Sequence, residues 1–389
     1  MTGRDRLLKT FRGEKVDRVP VCPWIYNNLI YEFFDIPPEK QNWGEDYLAE
    51  MEIEVVDYFG FDHINRLATP WHGCWFDEKS SNDDRWQVEV EFKKVNGRDT
   101  EITKIKTPEK ELRQIKEFDQ TSRYIRVEAI REYYIKDKDD FNQFLKYQPP
   151  FEEAMYPAIE DEFKSLMKVK EALGDKGVVE AYNYGGAFNN LNLYRKLEQI
   201  MMDPFTDLGF YRVMIEYFSK RSLEVYKKMV ENGADILELG ANLATSAVGE
   251  KFFKDYALEY EKDLIEKVHS LGVFDIYHNC GDADKIMHLY NEIGMNAWGY
   301  LTPPPYGDVD LDKALKVINK DIVLIGNIDQ VSFLVKATPK EIKEKVKQVL
   351  EKAKKRGNFI LSTTDWIFDN TPYENIKALA EAGLEYGKY

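Results

Sequence analysis

Cysteine and histidine are scarce in this chain, 3 and 5 among 389 residues. Cys22, Cys74 and Cys280 are too few and too scattered for a disulfide framework, which points to a reducing, cytoplasmic setting. Positive charge is in deficit as well: Lys+Arg 54 against Asp+Glu 69 gives a formal net charge of -15. A nucleic-acid or anionic-membrane binder carries the opposite balance, so neither is expected as a partner. No apolar run approaches the roughly 20 residues of a membrane span. Residues 1–15 are charged and read as an amphipathic helix rather than a targeting signal. What is plentiful is apolar and aromatic side chains, 43% and 14%, enough for one domain with a sizeable core.

Eight apolar, β-rich runs end in small or polar residues: 19–24, 61–66, 178–184, 235–239, 273–278, 295–300, 321–326 and 358–363. From the third onwards, helical patterns separate them, over 206–232, 250–271, 282–293, 309–319 and 338–356, with 372–386 closing the chain. Alternating strand and helix implies a parallel sheet, and eight units predict a (β/α)8 TIM barrel over 1–389. Residues 75–150 break that rhythm. Two alternating segments, Trp86 to Lys94 and Thr100 to Thr107, predict a hairpin-containing insertion turning at Asn96-Gly97, a lid or partner-docking surface.

Barrel chemistry sits at the C-terminal ends of the strands. Those ends offer Trp24 and Tyr26, Asn65 and Arg66, Tyr182, Asn183 and Tyr184, Glu238, His278 with Cys280, Trp298 and Tyr300, Asn327 with Asp329, and Thr363 to Asp365. His278 and Cys280, two apart at a strand end, project to the same side, and imidazole with thiolate suits zinc. The alternative is a hydrogen-bonded histidine beside an inert cysteine. For a third ligand Asp365 is preferred over Cys22, which lies in an apolar run, and over Cys74, which lies near the insertion. Glu238 is a fourth ligand or a nearby base. His63, His72, His269 and His288 are not taken as ligands.

Gly3-Arg4-Asp5-Arg6-Leu7-Leu8, Arg12-Gly13-Glu14 and Val16-Asp17-Arg18-Val19-Pro20 resemble the opening of the uroporphyrinogen decarboxylase superfamily. His278-Asn279-Cys280-Gly281, Gly326-Asn327-Ile328-Asp329 and the stretch from Phe359 through Thr371-Pro372 to Asn375 resemble its later motifs. The resemblance implies either a decarboxylase or a cobalamin-linked methyltransferase. Decarboxylases of the family carry an arginine-bearing motif after the first strand. Here that stretch reads Cys22-Pro23-Trp24-Ile25-Tyr26-Asn27-Asn28, with nothing to grip a polycarboxylate. The methyltransferase branch implies zinc on a His-x-Cys pair plus a later cysteine, whose position falls at Asp365.

The expectation is therefore a zinc enzyme, with His278, Cys280 and Asp365 as ligands and Glu238 and Asn327 as catalytic groups. It demethylates a small methyl donor, best a methoxylated aromatic, held by Trp24, Tyr26, Arg66, Tyr182, Asn183, Tyr184, Trp298 and Tyr300. The methyl passes to the Co(I) of a corrinoid on a separate protein, since no Asp-x-His-x-x-Gly cobalamin pattern occurs in the chain. A homodimer is also entertained. Transfer from methylcorrinoid to a thiol such as coenzyme M, a decarboxylase-like lyase and a non-catalytic binding barrel stay open as alternatives.

Overall fold

A computed structural model describes residues 1–37, 46–66, 84–154, 157–183 and 185–389, with only the backbone given at 46–47, 152, 154, 157–162 and 183. His72, Cys74 and Tyr184 lie outside the described residues. In chain order the strands are β1 (His63–Asn65), β2 (Gln87–Val95), β3 (Arg98–Lys106), β4 (Glu111–Gln120), β5 (Arg126–Glu132), β6 (Gly177–Asn183), β7 (Ile236–Gly240), β8 (Phe274–His278), β9 (Ala297–Leu301), β10 (Val323–Ile328) and β11 (Phe359–Thr363). β1 and β6 to β11 form one seven-stranded parallel sheet in that order. Helices connect its strands from β6 onwards, as the alternating pattern predicts. The first predicted strand, 19–24, is not a full strand. Its residues Pro20 and Cys22 exchange backbone bonds with Leu361 of β11, while Val21 accepts one from Asp62 just before β1.

The strands are buried on both faces and read as nearly continuous apolar runs. Val178, Ile236, Ile276, Ala297, Val323 and Ile360 share one cluster on the inner face. Val179, Leu237, Tyr277, Leu324 and Leu361 belong to the other, packed under the helices. The N-terminal helix Gly3–Phe11 plugs the inner cluster with Leu7 and Phe11. Arg4 grips Asp235 with two bonds of 2.6 and 2.7 Å, and Asp62 collects Arg6, Arg18 and the Val21 amide. The opening motifs of the family resemblance thus fasten the N-terminal end of the sheet, opposite the strand ends that carry chemistry.

The insertion is larger than a hairpin. Its predicted first half is β2 and β3, joined by Asn96-Gly97, both with positive φ as a two-residue hairpin turn requires. β4 and β5 then extend it to a four-stranded antiparallel sheet. These two strands alternate charged with apolar residues and are mostly half exposed, so they lack the apolar signature of a buried strand.

Candidate active site

Alternation sends Glu180 and Tyr182 of β6, Glu238 of β7 and His278 of β8 to the same side as the inner apolar layer. Above that layer sits a buried polar one. Arg66 Nε lies 3.2 Å from Glu180 and 3.7 Å from Glu238, while its guanidinium covers the rings of Trp24 and Tyr300 at 5.1 and 5.4 Å. Arg66 also donates to the Tyr300 hydroxyl, which in turn reaches Glu238 at 3.3 Å. Burial pushes the carboxyls of Glu180 and Glu238 up, with Arg66 opposing it.

His278 donates from Nδ1 to Glu238, leaving Nε2 buried and without a partner. Burial holds this imidazole down, to about 4, so the ring is neutral at pH 7 and Nε2 keeps its lone pair. The motif that follows is built by Asn279, which is fully buried. Its amide donates to Ala244 O and its Oδ1 accepts from the Gly281 amide at 2.9 Å. That turn presents Cys280, half-buried, with Sγ 3.6 Å from Asp365 Oδ2 and 3.5 Å from Asn242 Oδ1. Burial, and then the Asp365 charge, push the thiol up; burial pushes the Asp365 carboxyl up in turn.

Aromatic rings wall this centre. Trp24 stacks on Tyr300 at 5.5 Å and meets His278 at 5.4 Å and Trp366 edge-on at 5.9 Å. Tyr26 lies 5.3 Å from Trp366, and Tyr182 lies 6.2 Å from His278. The indole N–H groups of Trp24 and Trp366 are buried without an acceptor. Asn327 is buried too, with an unsatisfied Oδ1.

A metal fits this donor set in its chemistry. His278 Nε2 is an orphaned lone pair, its other nitrogen is held by a carboxylate, and a thiol and a carboxyl approach each other beside it. Three carboxyls, Glu180, Glu238 and Asp365, share the one arginine Arg66, a balance that a dication would relieve. The set is not preassembled, however: among the described residues no three His, Cys, Asp or Glu side chains are gathered closely enough to hold an ion as they stand.

Two expectations from the sequence need correction. Trp298 is not in the mouth. It faces the helical layer, with its ring 5.0 Å from Tyr290 and its Nε1 donating to Asn279 O. Tyr300, two residues on, faces inward because a bulge intervenes: Ile325 pairs with Gly299 and Gly326 with Leu301, leaving Tyr300 unmatched. The extra residue resets the alternation. Trp298→Ala should therefore lower stability by about 3 kcal/mol as a core cavity, read as a fall in denaturation midpoint with substrate KM unchanged. Asn65 also turns outward, donating to Ala49 O in the helix Asp46–Phe59. His63 faces the same helix, 3.5 Å from Glu52. Cys22 is buried in the inner cluster, and Asp329 serves its own turn by accepting from Val331 and Ser332. Glu180 and Asn242 went unread; Glu180 has a signal in the sequence, two residues before Tyr182 and hence on its side.

The model of the uroporphyrinogen decarboxylase (URO-D) family matches residues 136–386, and the chain belongs to that family. It is similar to the methylcobamide:CoM methyltransferase MtbA of Methanosarcina acetivorans, 27% identical over 186 residues, 47% of this chain and 51% of that one. It is also similar to a uroporphyrinogen decarboxylase of Carboxydothermus hydrogenoformans, 27% identical over 164 residues, 42% and 44% of the two chains. The chain spans about half the length of these curated relatives. A solved methyltransferase structure from Methanosarcina mazei shares the fold, with a TM-score of 0.72 over 99% of both chains at 18% identity. No helix among the described residues is long and apolar enough to cross a membrane.

Proposed function

We propose that this protein is a zinc-dependent methyltransferase that takes the methyl group of a methoxylated aromatic compound and passes it to the Co(I) of a corrinoid on a partner protein. The reading takes the fold as a (β/α)8 barrel in which residues 20–22 fill the eighth position between β11 and β1. The observation that carries it is the buried, unpartnered Nε2 of His278 beside the Cys280–Asp365 contact, inside a wall of aromatic rings. His278, Cys280 and Asp365 would hold the metal, which when bound supplies a Lewis acid for an ether oxygen or a thiol sulfur.

The chain's own residues do the rest. Trp24, Tyr300, Tyr26 and Trp366 present ring faces and edges to a flat substrate and exclude water from it. The free indole N–H groups and the Asn327 amide orient its oxygen substituents, with Tyr182 completing the rim. Loss of the methyl leaves a phenolate oxygen that takes up one proton, and the carboxyl of Glu180, raised by burial, is a proton store beside Arg66. Glu238 fixes the imidazole of His278.

A second reading, methyl transfer from a corrinoid to a thiol, is favoured by the likeness to methylcobamide:CoM methyltransferases. The lyase reading is weaker, because Trp24 and Tyr26 occupy the place where a polycarboxylate would need arginines. The test uses zinc-loaded protein with Co(I) cobalamin and a methoxybenzoate, beside methylcobalamin and a thiol, following the corrinoid absorbance. The proposal expects demethylation of the methoxybenzoate. Transfer only to the thiol would establish the second reading, and no transfer in either direction would sink both.

A further inference from the structure

The four-stranded sheet of the insertion ends on β2, a nine-residue edge strand. Among the described residues nothing bonds to its outer side from Glu89 to Val95. A long edge strand with apolar side chains in solvent is a template for pairing. On β2, Phe92 is 72% exposed and Val90 46%, among the largest apolar exposures of the described chain.

The hairpin fixes which backbone groups are on offer. A two-residue turn makes its flanking residues, Val95 and Arg98, a hydrogen-bonded pair, and the ladder then alternates. Val95, Lys93, Glu91 and Glu89 spend their amides and carbonyls on β3. Phe92, Val90 and Lys94 point theirs outward. A second copy of the strand, laid antiparallel across a two-fold axis, must match this even set with itself, which leaves few registers.

Side chains choose among them. With Val90 on the axis, Glu89 faces Glu91 of the other copy twice. With the axis between Val90 and Phe92, Glu91 faces its own copy. With Phe92 on the axis, Glu91 faces Lys93 on both sides, Val90 faces Lys94, and the two Phe92 rings lie side by side. Only this register has opposite charges across the closer, non-hydrogen-bonded pairs and no like charges. Glu91 and Lys93 are half exposed and already 3.1 Å apart within one strand, so the four charges form a closed set across the axis.

We propose that two copies of this chain associate through β2, pairing antiparallel about Phe92 to make one continuous eight-stranded sheet. This goes beyond the catalytic reading and does not depend on it.

The test is sedimentation of the full-length chain over a concentration series. Wild type should run at twice the 45.6 kDa chain mass. Glu91→Lys and Lys93→Glu should each weaken self-association by about tenfold or more, since each change places like charges opposite each other twice. The double variant E91K/K93E should restore it. Phe92→Pro should abolish it, because proline removes an amide that faces away from β3 and the monomer does not use. Circular dichroism of each variant checks that the monomer is folded. A wild type that stays monomeric at every concentration would overturn the proposal and leave the edge to a different partner. A dimer indifferent to these changes, or single variants that the double one does not rescue, would overturn it equally.

Discussion

Cys280→Ala is expected to remove zinc and methyl transfer together while leaving the fold intact. The thiol is half-buried at the strand-end turn and, among the described polar groups, touches Asp365 and Asn242, so its loss should change stability within about 1 kcal/mol. The turn itself survives, because Asn279 and not Cys280 ties it to Ala244 and Gly281. Without the soft ligand the remaining donors are one imidazole and one carboxylate, too few for a catalytic zinc. Loss of its Lewis acidity forfeits several kcal/mol of charge stabilisation, so single-turnover demethylation should fall by roughly a thousandfold. Metal analysis beside the rate measurement checks this. Stoichiometric zinc in the variant would defeat the assignment of Cys280.

Glu238→Gln should weaken zinc binding by roughly 10–100-fold, the usual effect of losing a carboxylate behind a ligating histidine. The amide can still accept from His278 Nδ1, but the charge that fixes the ring and balances Arg66 is gone, leaving Glu180 alone with the guanidinium at 3.2 Å. Chelator competition reads the affinity. Unchanged affinity with a raised KM would mean that Glu238 serves the substrate and not the metal.

Much of this was legible because a strand buried on both faces writes its bounds in apolar residues. The runs at 235–239, 273–278 and 358–363 coincide with β7, β8 and β11 to within about a residue or two, as strand-boundary reading allows. Cys280 and Asp365 meet, and Trp24, Tyr26, Tyr182 and Tyr300 ring the buried imidazole of His278 with Arg66 below, but the three expected ligands are not gathered closely enough to hold an ion as they stand. What escaped has physical causes. Trp298 follows the alternation from Ala297 into the helical layer, and a bulge at Tyr300 turns only that later residue inward, a signal carried by backbone pairing and not by residue type. β4 and β5 carry charge along much of their length, and only Leu112 and Gln114 of β4 are buried, so little apolar signal marks them as strands. Glu180 sits inside an apolar run, where a single carboxylate does not change the strand pattern, though alternation alone places it beside Tyr182.

The most direct test of the central claim is metal analysis of the purified protein, wild type beside Asp365→Ala. The account predicts about one zinc per chain in the wild type and a clear reduction in the variant, since Asp365 is the proposed ligand at the position where the family resemblance places a cysteine. A wild type that takes up no metal even after reconstitution would contradict the site and the mechanism built on it.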